Sequence, residues 1–537
     1  MRKGVKTAVI GGVFAVMVGG AGYGTYNVVS ALDGGSGSGS AKSGPPSGDE
    51  VQETAEKFFT AWEKGDAKAA ASHTNNSAVA GTLLAAYGEE AHITGVEITP
   101  GTTTGTAVPF TVQAKVSHQG TTKPLTYKSE LTVVRGETSG RALVDWQPSV
   151  VHPDLKDGDT LVTEESATPQ IQAVGRDGAV LTKEKYPSLG PVLATLREKY
   201  GAQAGGTPGV ELVVRHGNGG GPDTPLLTLT EGKPGKLETT LSASVQAAAE
   251  KAVKRYGESS VVAVKPSTGE VLAVANNRAD GFNAAFQGRV APGSTMKIIT
   301  AAMLIDNGVT SMNGPAPCPD TAVWKSQIFK NLTGMPANEG ATLANTFMRS
   351  CNTGFIKLID EVTDASLTAE AEERFGLGRD DWKTGIVSFD GKVPAVSGPD
   401  RAANAIGQGQ VQMNPLNMAS VTATAITGEF HQPYLVSPGL DDRELATAKG
   451  LPQSTATQLK QMMRLTATQG TAQEAMSGLG GDIGAKTGSA EVDGEATSDS
   501  WFTGFRDDVA AAAMVEKGGH GGDAAGPIVA DVLRAGG

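Results

Sequence analysis

Apolar residues after position 50 recur at intervals of three and four, and further along they alternate with polar residues. The first spacing predicts a helix that Gly65 ends as a C-terminal cap, and the alternation predicts antiparallel strands. Helices followed by a strand meander are typical of a small α+β domain, which we place at residues 50–153. The helical positions are Val51, Ala55, Phe58, Phe59 and Trp62, and the alternating positions are Phe110, Val112, Ala114 and Val116, then Leu125, Tyr127, Leu131 and Val133.

The middle and the C-terminal part of the chain have different patterns. Residues 154–236 are rich in glycine, proline and short apolar runs, which predicts a second small domain of mixed α/β structure. From residue 237 onward, longer helical runs mix with strands, beginning with a helix that Ser242 can cap. Residues 237–537 therefore predict an α/β domain that is large enough to hold a cleft between helices and a sheet.

Residues 1–32 indicate on which side of the membrane the rest of the chain lies. A basic start at positions 2–6 precedes a segment, Thr7–Leu32, without a charged side chain. About 20 apolar residues suffice to cross a bilayer as a helix, and flanking positive charges stay in the cytoplasm. We expect residues 1–32 to be a cytoplasmic stub and a single membrane anchor, and residues 33–49 to be a flexible linker, with the rest of the chain outside the cytoplasm. A cleaved signal peptide is the alternative.

Composition narrows the class of function. The net charge of −12 argues against a nucleic-acid partner, because phosphate binding needs clustered Lys and Arg. The histidines form no HxxxH or HxH pair and there are 2 cysteines, so we expect no metal and no cofactor. In an exported chain Cys318 and Cys351 could form a disulfide, and two buried free thiols are the alternative.

The first chemical motif is Ser294-Thr295-Met296-Lys297, which follows a Pro-Gly loop and should begin a helix. Residues three apart lie on one face of a helix, so Lys297 can reach the Ser294 hydroxyl. A lysine held neutral can take the proton of a hydroxyl and make it a nucleophile. The pair predicts a serine nucleophile with a lysine base, although an isolated Ser-x-x-Lys match is expected by chance in a chain of this length.

The second motif is Ser350-Cys351-Asn352. Residues two apart in extended or turn backbone point the same way, so the serine and the asparagine can both face a cleft. We expect Ser350 to relay a proton to a leaving amine and Asn352 to hold a substrate peptide group. The alternative for this triplet alone is a polar turn.

The third motif is Lys486-Thr487-Gly488-Ser489, in a predicted strand. Gly488 has no side chain, so a substrate could lie close against the backbone. Lys486 and the hydroxyls of Thr487 and Ser489 could bind a substrate carboxylate. The backbone N–H groups of Ser489 and Ser294 could form an oxyanion hole. Alone, this motif is also compatible with a surface strand end.

Together and in this order, the three motifs resemble the set found in penicillin-binding proteins and class A β-lactamases, with Cys351 in place of the usual aspartate. The resemblance covers residues 237–537 and implies a transpeptidase domain of the serine β-lactamase-like fold. It implies that Ser294 attacks the D-Ala-D-Ala end of a peptidoglycan stem peptide and that penicillin acylates the same serine. The surrounding segments that carry it are Val262-Ala263-Val264, Thr268-Gly269-Glu270-Val271-Leu272-Ala273, Gly407-Gln408-Gly409, Asn414-Pro415-Leu416, Gly470-Thr471-Ala472 and Trp501-Phe502-Thr503-Gly504-Phe505.

The N-terminal part is similar to that of class B penicillin-binding proteins, for which we expect no separate glycosyltransferase region. Residues 50–153 resemble the cone-shaped nuclear-transport-factor-like domain of methicillin-resistance-type proteins, and residues 154–236 resemble their dimerisation or pedestal domain. The Arg-Gly-x-Ile-x-Asp-Arg pattern of that domain is eroded here, which leaves its partner contacts open. The implied partners are stem peptides, β-lactams and the cytoplasmic membrane, with a glycosyltransferase as a further candidate.

Two other functions stay open on the same fold. In a D,D-carboxypeptidase or a β-lactamase, water replaces the acceptor amine, and a β-lactamase needs a base for that water. Glu370, Glu372 and Glu373 lie between the second and third motifs, but we expect them to form a charged helix face. A β-lactam-binding sensor or scaffold is the other alternative, and turnover of a stem-peptide mimic distinguishes it from an enzyme.

Overall fold

The computed structural model describes most of the chain. The predicted anchor and the linker up to residue 43 lie outside the described residues. Within the described part, no helix combines the length and the apolar character that a membrane span needs. The described ranges are 44–166, 170–217, 221–492 and 495–537.

The chain forms two compact units. The first comprises the residues up to 166 together with 209–231, and the second comprises 167–208 together with 232–537. The segment 154–236 is thus divided between the two units. In the first unit Thr160–Glu165 pairs with Val210–Arg215, and in the second unit Ile171–Val174 pairs with Gly235–Glu238. Apolar runs in a sequence show where strands lie and not which strands pair. That this segment is a domain of its own stays a prediction.

The first unit begins with the helix Gly48–Glu63, as the apolar spacing predicted. Ser47 and Glu50 form a capping box, in which each side chain accepts a hydrogen bond from the backbone N–H of the other residue. The predicted apolar stripe of this helix is buried. Two shorter helices follow, Ala67–Ala71 and Ser77–Glu89.

Two antiparallel sheets complete the first unit. In the smaller sheet, Val210–Arg215 lies between Thr160–Glu165 and Thr224–Thr230. The larger sheet is a meander whose inward-facing residues include the predicted alternating set. Its strands are Ile93–Pro100, Ala107–His118, Thr121–Arg135 and Ala142–Val144, and the 3₁₀ turn Pro148–Val150 follows them.

The second unit is built on a five-stranded antiparallel sheet. Its central strand, Val509–Val515, pairs with Ser259–Val264 on one side and with Asp499–Arg506 on the other. The edges of the sheet are Val271–Asn277 and Ile483–Ala490. The last strand of the unit therefore lies beside the first strand of the sheet, and the third motif lies at an edge.

Helices cover both faces of this sheet, so every residue of its central strand is buried. Ala243–Val253 and Ala525–Gly536 share a core with Ala511, whereas Pro415–Thr427 shares a core with Ala512. Successive residues of a strand point to opposite faces, so these two cores lie on opposite sides.

The other elements of the second unit surround the sheet. A small sheet has Ile171–Val174 at its centre, with Gly235–Glu238 parallel to it. The remaining elements are the strands Val180–Leu181, Thr321–Trp324 and Gln327–Lys330, the helices Gly190–Tyr200, Ala284–Gln287, Lys297–Asp306, Leu343–Met348, Asn352–Leu358, Ser366–Phe375, Pro399–Ala405, Gln453–Gln469 and Gln473–Met476, and the 3₁₀ turns Pro187–Leu189, Gly293–Met296, Ile359–Glu361 and Pro438–Leu440.

Candidate active site

The first motif forms a tight turn that leads into a helix. Gly293–Met296 is a single 3₁₀ turn, and the α-helix begins at Lys297. The sequence predicted a helix from Ser294, and the structure replaces its first turn by this narrower one. The Nζ atom of Lys297 lies 3.0 Å from the Oγ atom of Ser294. The serine and the lysine are therefore in direct hydrogen-bond contact.

Lys297 is fully buried, and its amine has three oxygen neighbours. Besides Ser294, these are the carbonyl of Ser350 at 2.8 Å and Oδ1 of Asn352 at 2.6 Å. Burial, with the charge of Lys486 as a smaller cause, lowers the pKa of Lys297 well below its usual value. A neutral amine has two N–H donors and one lone pair. It can donate to Ser350 and Asn352 and accept the proton of the Ser294 hydroxyl.

Ser350 connects the other two motifs. Its carbonyl accepts a hydrogen bond from Lys297, and its hydroxyl accepts one from Lys486 at 2.8 Å. The backbone of Ser350 has a φ of 60°, in the left-handed region that residues other than glycine seldom adopt. Such backbone costs about 1–3 kcal/mol and persists where surrounding contacts hold it. Here it directs the carbonyl and the hydroxyl of one residue to two different lysines.

The residues that follow Ser350 are anchored to the segment 318–330 of the chain. Cys351 forms a disulfide with Cys318, and their Cα atoms are 6.2 Å apart. The amide group of Asn352 donates to the carbonyl of Lys330 at 3.0 Å. Since its Oδ1 accepts from Lys297, one amide hydrogen of Asn352 is left for the substrate contact that the sequence predicted.

Lys486 is fully buried too, and its amine faces Ser350 and the carbonyl of Thr487. Burial lowers the pKa of Lys486 to about 7. The sequence led us to expect a direct contact between this lysine and a substrate carboxylate. In the structure the Nζ atom contacts Ser350 and the carbonyl of Thr487, and the expected contact with a substrate carboxylate stays a prediction.

Gly488 lies against the nucleophile turn, which gives its lack of a side chain a reason that the sequence did not show. A Cβ atom at this position would lie 2.9 Å from the carbonyl oxygen of Pro292 and 3.0 Å from the backbone nitrogen of Thr295. The missing side chain thus makes room for the nucleophile turn, and the approach of a substrate to this backbone stays a prediction. Similarly, a Cβ on Gly293 would lie 2.5 Å from the carbonyl oxygen of Ser489. The nucleophile turn and the third-motif strand are therefore in close backbone contact.

The outer edge of the third-motif strand is unpaired among the described strands, since Ile483–Ala490 pairs only with Asp499–Arg506. Ser489 is partly exposed at this edge, as is Ser294 in the adjoining turn. A free strand edge offers backbone groups to an extended peptide. Ser294 and Ser489 are thus both partly exposed where the nucleophile turn meets the third-motif strand, whereas Thr487 of the same strand is buried.

Two site residues had no role in our sequence analysis, although both lie in segments that carried the resemblance. The hydroxyl of Thr471 lies 2.6 Å from that of Thr487. Gly407 packs against the nucleophile turn, where a Cβ atom would lie 1.8 Å from the carbonyl oxygen of Gly293. Glycine and threonine are common throughout the chain, so the residue type alone did not mark these two positions as part of the site. The sequence showed only that they lie in segments that resemble the family.

The expected charged helix face is wrong for Glu370. In the helix Ser366–Phe375, Glu373 is exposed and pairs with Lys449, but Glu370 is 6% exposed. Burial and the nearby charge of Asp306 raise the pKa of Glu370 to about 8. Asp306 ends the helix that Lys297 begins, so this carboxyl pair lies at the helix end remote from Ser294.

Two family profiles match the chain. One is described as “Penicillin binding protein transpeptidase domain” and matches residues 259–534. The other is described as “NTF2-like N-terminal transpeptidase domain” and matches residues 50–159. The matches confirm the fold classes predicted for residues 50–153 and 237–537.

Curated relatives and solved structures agree with these profiles. “Peptidoglycan D,D-transpeptidase PbpA” of Mycolicibacterium smegmatis is 31% identical over 365 residues, which are 56% of this chain and 73% of the relative. The protein of the same name from Mycobacterium tuberculosis is 29% identical over 357 residues, 56% of this chain and 72% of the relative.

Two solved structures share the fold at lower identity. The D,D-transpeptidase domain of a peptidoglycan glycosyltransferase from Eggerthella lenta matches with a TM-score of 0.53 and 22% identity, over 69% of this chain and 98% of that one. PBP2 of Pseudomonas aeruginosa matches with a TM-score of 0.56 and 20% identity, over 69% of this chain and 96% of that one.

Proposed function

This chain belongs to the penicillin-binding protein transpeptidase family, and from that premise we propose that it cross-links peptidoglycan as a D,D-transpeptidase through an acyl-enzyme on Ser294. The observation that carries the proposal is the chain of hydrogen bonds that joins Ser294, Lys297, Ser350 and Lys486. A buried lysine of lowered pKa beside a serine is the arrangement of an activated nucleophile. The relatives named peptidoglycan D,D-transpeptidase support the reaction class.

The first half-reaction forms the acyl-enzyme. The Ser294 oxygen attacks the carbonyl carbon of the penultimate D-Ala of a stem peptide, and its proton passes to Lys297. The backbone N–H groups of Ser294 and Ser489 stabilise the oxyanion. The C–N bond then breaks, and the terminal D-Ala leaves as an amine that takes the proton of the Ser350 hydroxyl. Lys486 returns a proton to Ser350 along their 2.8 Å hydrogen bond.

The second half-reaction runs the same transfers backwards with a new amine. An amine of a neighbouring stem attacks the ester and forms the cross-link. Its proton passes through Ser350 to Lys486, and the ester oxygen of Ser294 regains its proton from Lys297. Both lysines end in their starting protonation states, so the cycle is balanced. A pKa of about 7 suits Lys486 to give and take a proton near neutral pH.

Benzylpenicillin tests the nucleophile. Intact-mass analysis after incubation should find one stable adduct on the parent protein and none on Ser294→Ala. Thr295→Ser is the control, because it keeps the hydroxyl that donates to the Pro292 carbonyl beside the nucleophile. An adduct on Ser294→Ala would refute the assignment.

Turnover separates the alternatives. A D-Ala-D-Ala peptide with an acceptor amine should give cross-linked product and free D-Ala. Release of D-Ala without cross-linking would make the protein a carboxypeptidase, and hydrolysed penicillin without an adduct would make it a β-lactamase. Acylation without turnover of the peptide would favour the sensor.

The location of the site outside the cytoplasm belongs to the same proposal. Residues 7–32 would anchor the chain once in the membrane, with the basic start inside. The Cys318–Cys351 disulfide supports an oxidising compartment. A glycosyltransferase is the partner that would supply the glycan strands to be linked.

A further inference from the structure

The helix Asn352–Leu358 begins inside the second motif with Cys351 at its N-cap, and a residue 21 positions before Asn352 accepts hydrogen bonds from its first two N–H groups. The Oδ1 atom of Asn331 accepts hydrogen bonds from the backbone N–H of Asn352 at 2.8 Å and of Thr353 at 3.1 Å. The first N–H groups of a helix have no partner within the helix and need one from elsewhere. Asn331 supplies that partner from a separate segment of the chain.

The amide group of Asn331 is held at its other end as well. Its Nδ2 atom donates to the carbonyl of Pro319 at 2.8 Å and to the hydroxyl of Thr353 at 3.1 Å. Oxygen thus faces donors and nitrogen faces acceptors, which leaves one orientation of the amide. The side chain of Asn331 therefore links the backbone at Pro319 to the first turn of the helix in the second motif.

Asn331 is connected to the nucleophile Ser294 through Asn352. Asn331 holds the backbone of Asn352, and the preceding carbonyl, that of Lys330, accepts from its side chain at 3.0 Å. The remaining end of that side chain, Oδ1, accepts from Lys297 at 2.6 Å. Lys297 in turn contacts Ser294 at 3.0 Å. Three consecutive contacts therefore connect Asn331 to the serine.

We propose that Asn331 is a positioning residue for acylation, which orients Asn352 so that Lys297 stays aligned with Ser294. The inference rests on the proposed function and names a residue outside the three motifs. Without Asn331 the N–H groups of Asn352 and Thr353 lose their partner, and Asn352 can turn away, although the N-cap contact between Cys351 and Gly354 remains. The contact between Lys297 and Ser294 is then formed in a smaller fraction of molecules, while the unpaired edge of the third-motif strand is unchanged.

Stopped-flow acylation of the full-length protein by benzylpenicillin tests the proposal, because it separates the dissociation constant of the non-covalent complex from the first-order acylation rate constant. Asn331→Ala should lower the rate constant about tenfold or more and leave the dissociation constant within about twofold. Asn331→Asp keeps an oxygen that accepts from the helix but sets its second oxygen against the Pro319 carbonyl, so it should recover part of the rate that Asn331→Ala loses.

Asn338→Ala is the matched control. Asn338 lies in the same loop and its side chain bonds Asn345 and the N–H of Gly340, away from the second motif. This variant should acylate at the parent rate. An Asn331→Ala protein with the parent rate constant, or an equal loss in both alanine variants, overturns the proposal.

Folding and function are checked separately. If Asn331→Ala does not fold, Asn331→Ser takes its place, because a serine hydroxyl is too short to span the same contacts and the same loss of rate is expected. A parent protein that forms no adduct would refute the proposed function instead, so the two failures are distinguishable.

Discussion

The amine of Lys486 donates a hydrogen bond to the hydroxyl of Ser350 over 2.8 Å, although 136 positions separate the two residues in the sequence. Both residues are buried. The lysine of the third motif thus serves the serine of the second. Each of the two buried lysines contacts a different serine hydroxyl, and in the proposed mechanism Lys297 accepts a proton during acylation while Lys486 donates one.

Replacing Lys486 should change how stability depends on pH. The folded protein releases the Lys486 proton near pH 7, whereas the unfolded chain keeps it up to the ordinary value of 10.5. Between these values the unfolded state binds more protons, so stability rises with pH across this window. Lys486→Met removes the cost of burying the charge. Its melting temperature relative to the parent should therefore be highest at or below pH 7 and decline toward pH 10.

Lys357 provides the control for this pH series. It is exposed on the helix that follows the second motif, so Lys357→Met should shift the melting temperature equally at pH 6 and pH 9. A Lys486→Met curve parallel to that of the parent would show that burial of the ammonium costs the folded protein nothing.

Lys297→Arg should slow acylation strongly, because it replaces an amine of lowered pKa by a group that stays charged. A guanidinium cannot lose its proton in a protein, so it cannot accept that of Ser294. We expect the acylation rate constant to fall about 10³-fold, the middle of the usual range of general-base effects. The measurement is adduct formation from pH 6 to 10. Acylation of the arginine variant within about tenfold of the parent would exclude Lys297 as the base.

Gly407→Ala should disrupt the nucleophile turn. The new Cβ atom would lie 1.8 Å from the carbonyl oxygen of Gly293, and the backbone has a φ of 82°. We expect a loss of about 3 kcal/mol or more in unfolding free energy, with slower acylation of the folded fraction. Gly308→Ala is matched in φ, at 70°, but its Cβ meets nothing within 4 Å. It should cost only about 1 kcal/mol.

Loss of the disulfide should destabilise the second unit. Cys318 and Cys351 are 33 positions apart, and closing a loop of that length lowers the entropy of the unfolded chain by the equivalent of about 4 kcal/mol. Chemical denaturation with and without reductant measures this difference. The double variant Cys318→Ala/Cys351→Ala should be insensitive to reductant. Alkylation of both thiols in unreduced, denatured protein would show that the bridge is absent.

Glu370→Gln should stabilise the protein above neutral pH. Folded Glu370 keeps its proton up to about pH 8, but the unfolded chain loses it near 4.5. Between these values the folded state binds more protons, so stability falls as pH rises. The glutamine variant cannot ionise and should gain about 1–3 kcal/mol over the parent at pH 8 and little at pH 4.5.

Glu373→Gln is the comparison for that measurement, because Glu373 is exposed on the same helix and pairs with Lys449. Its difference from the parent should not grow toward pH 8. If the two glutamine variants give parallel curves, the carboxyl of Glu370 is ionised in the folded protein at neutral pH.

The sequence by itself determined the local chemistry. Lys297 follows Ser294 by three positions, which is about one turn of a helix. The sequence alone therefore predicts that the two side chains are neighbours. Apolar periodicity predicted the helix Gly48–Glu63 and the alternating strands after it, since each element buries one face. The motif set and its order indicated the fold class of the C-terminal domain.

Only the tertiary structure decided which groups meet across long separations. In the folded protein Lys486 contacts Ser350, and the nucleophile turn packs against Gly488. Asn331 accepts a hydrogen bond from the first N–H group of the helix in the second motif. The tertiary structure also buried Glu370, which helical periodicity had assigned to a charged face. Burial, strand pairing and side-chain direction depend on what the rest of the chain packs against. A local pattern therefore names the reacting groups, and the packed fold sets their pKa values and contacts.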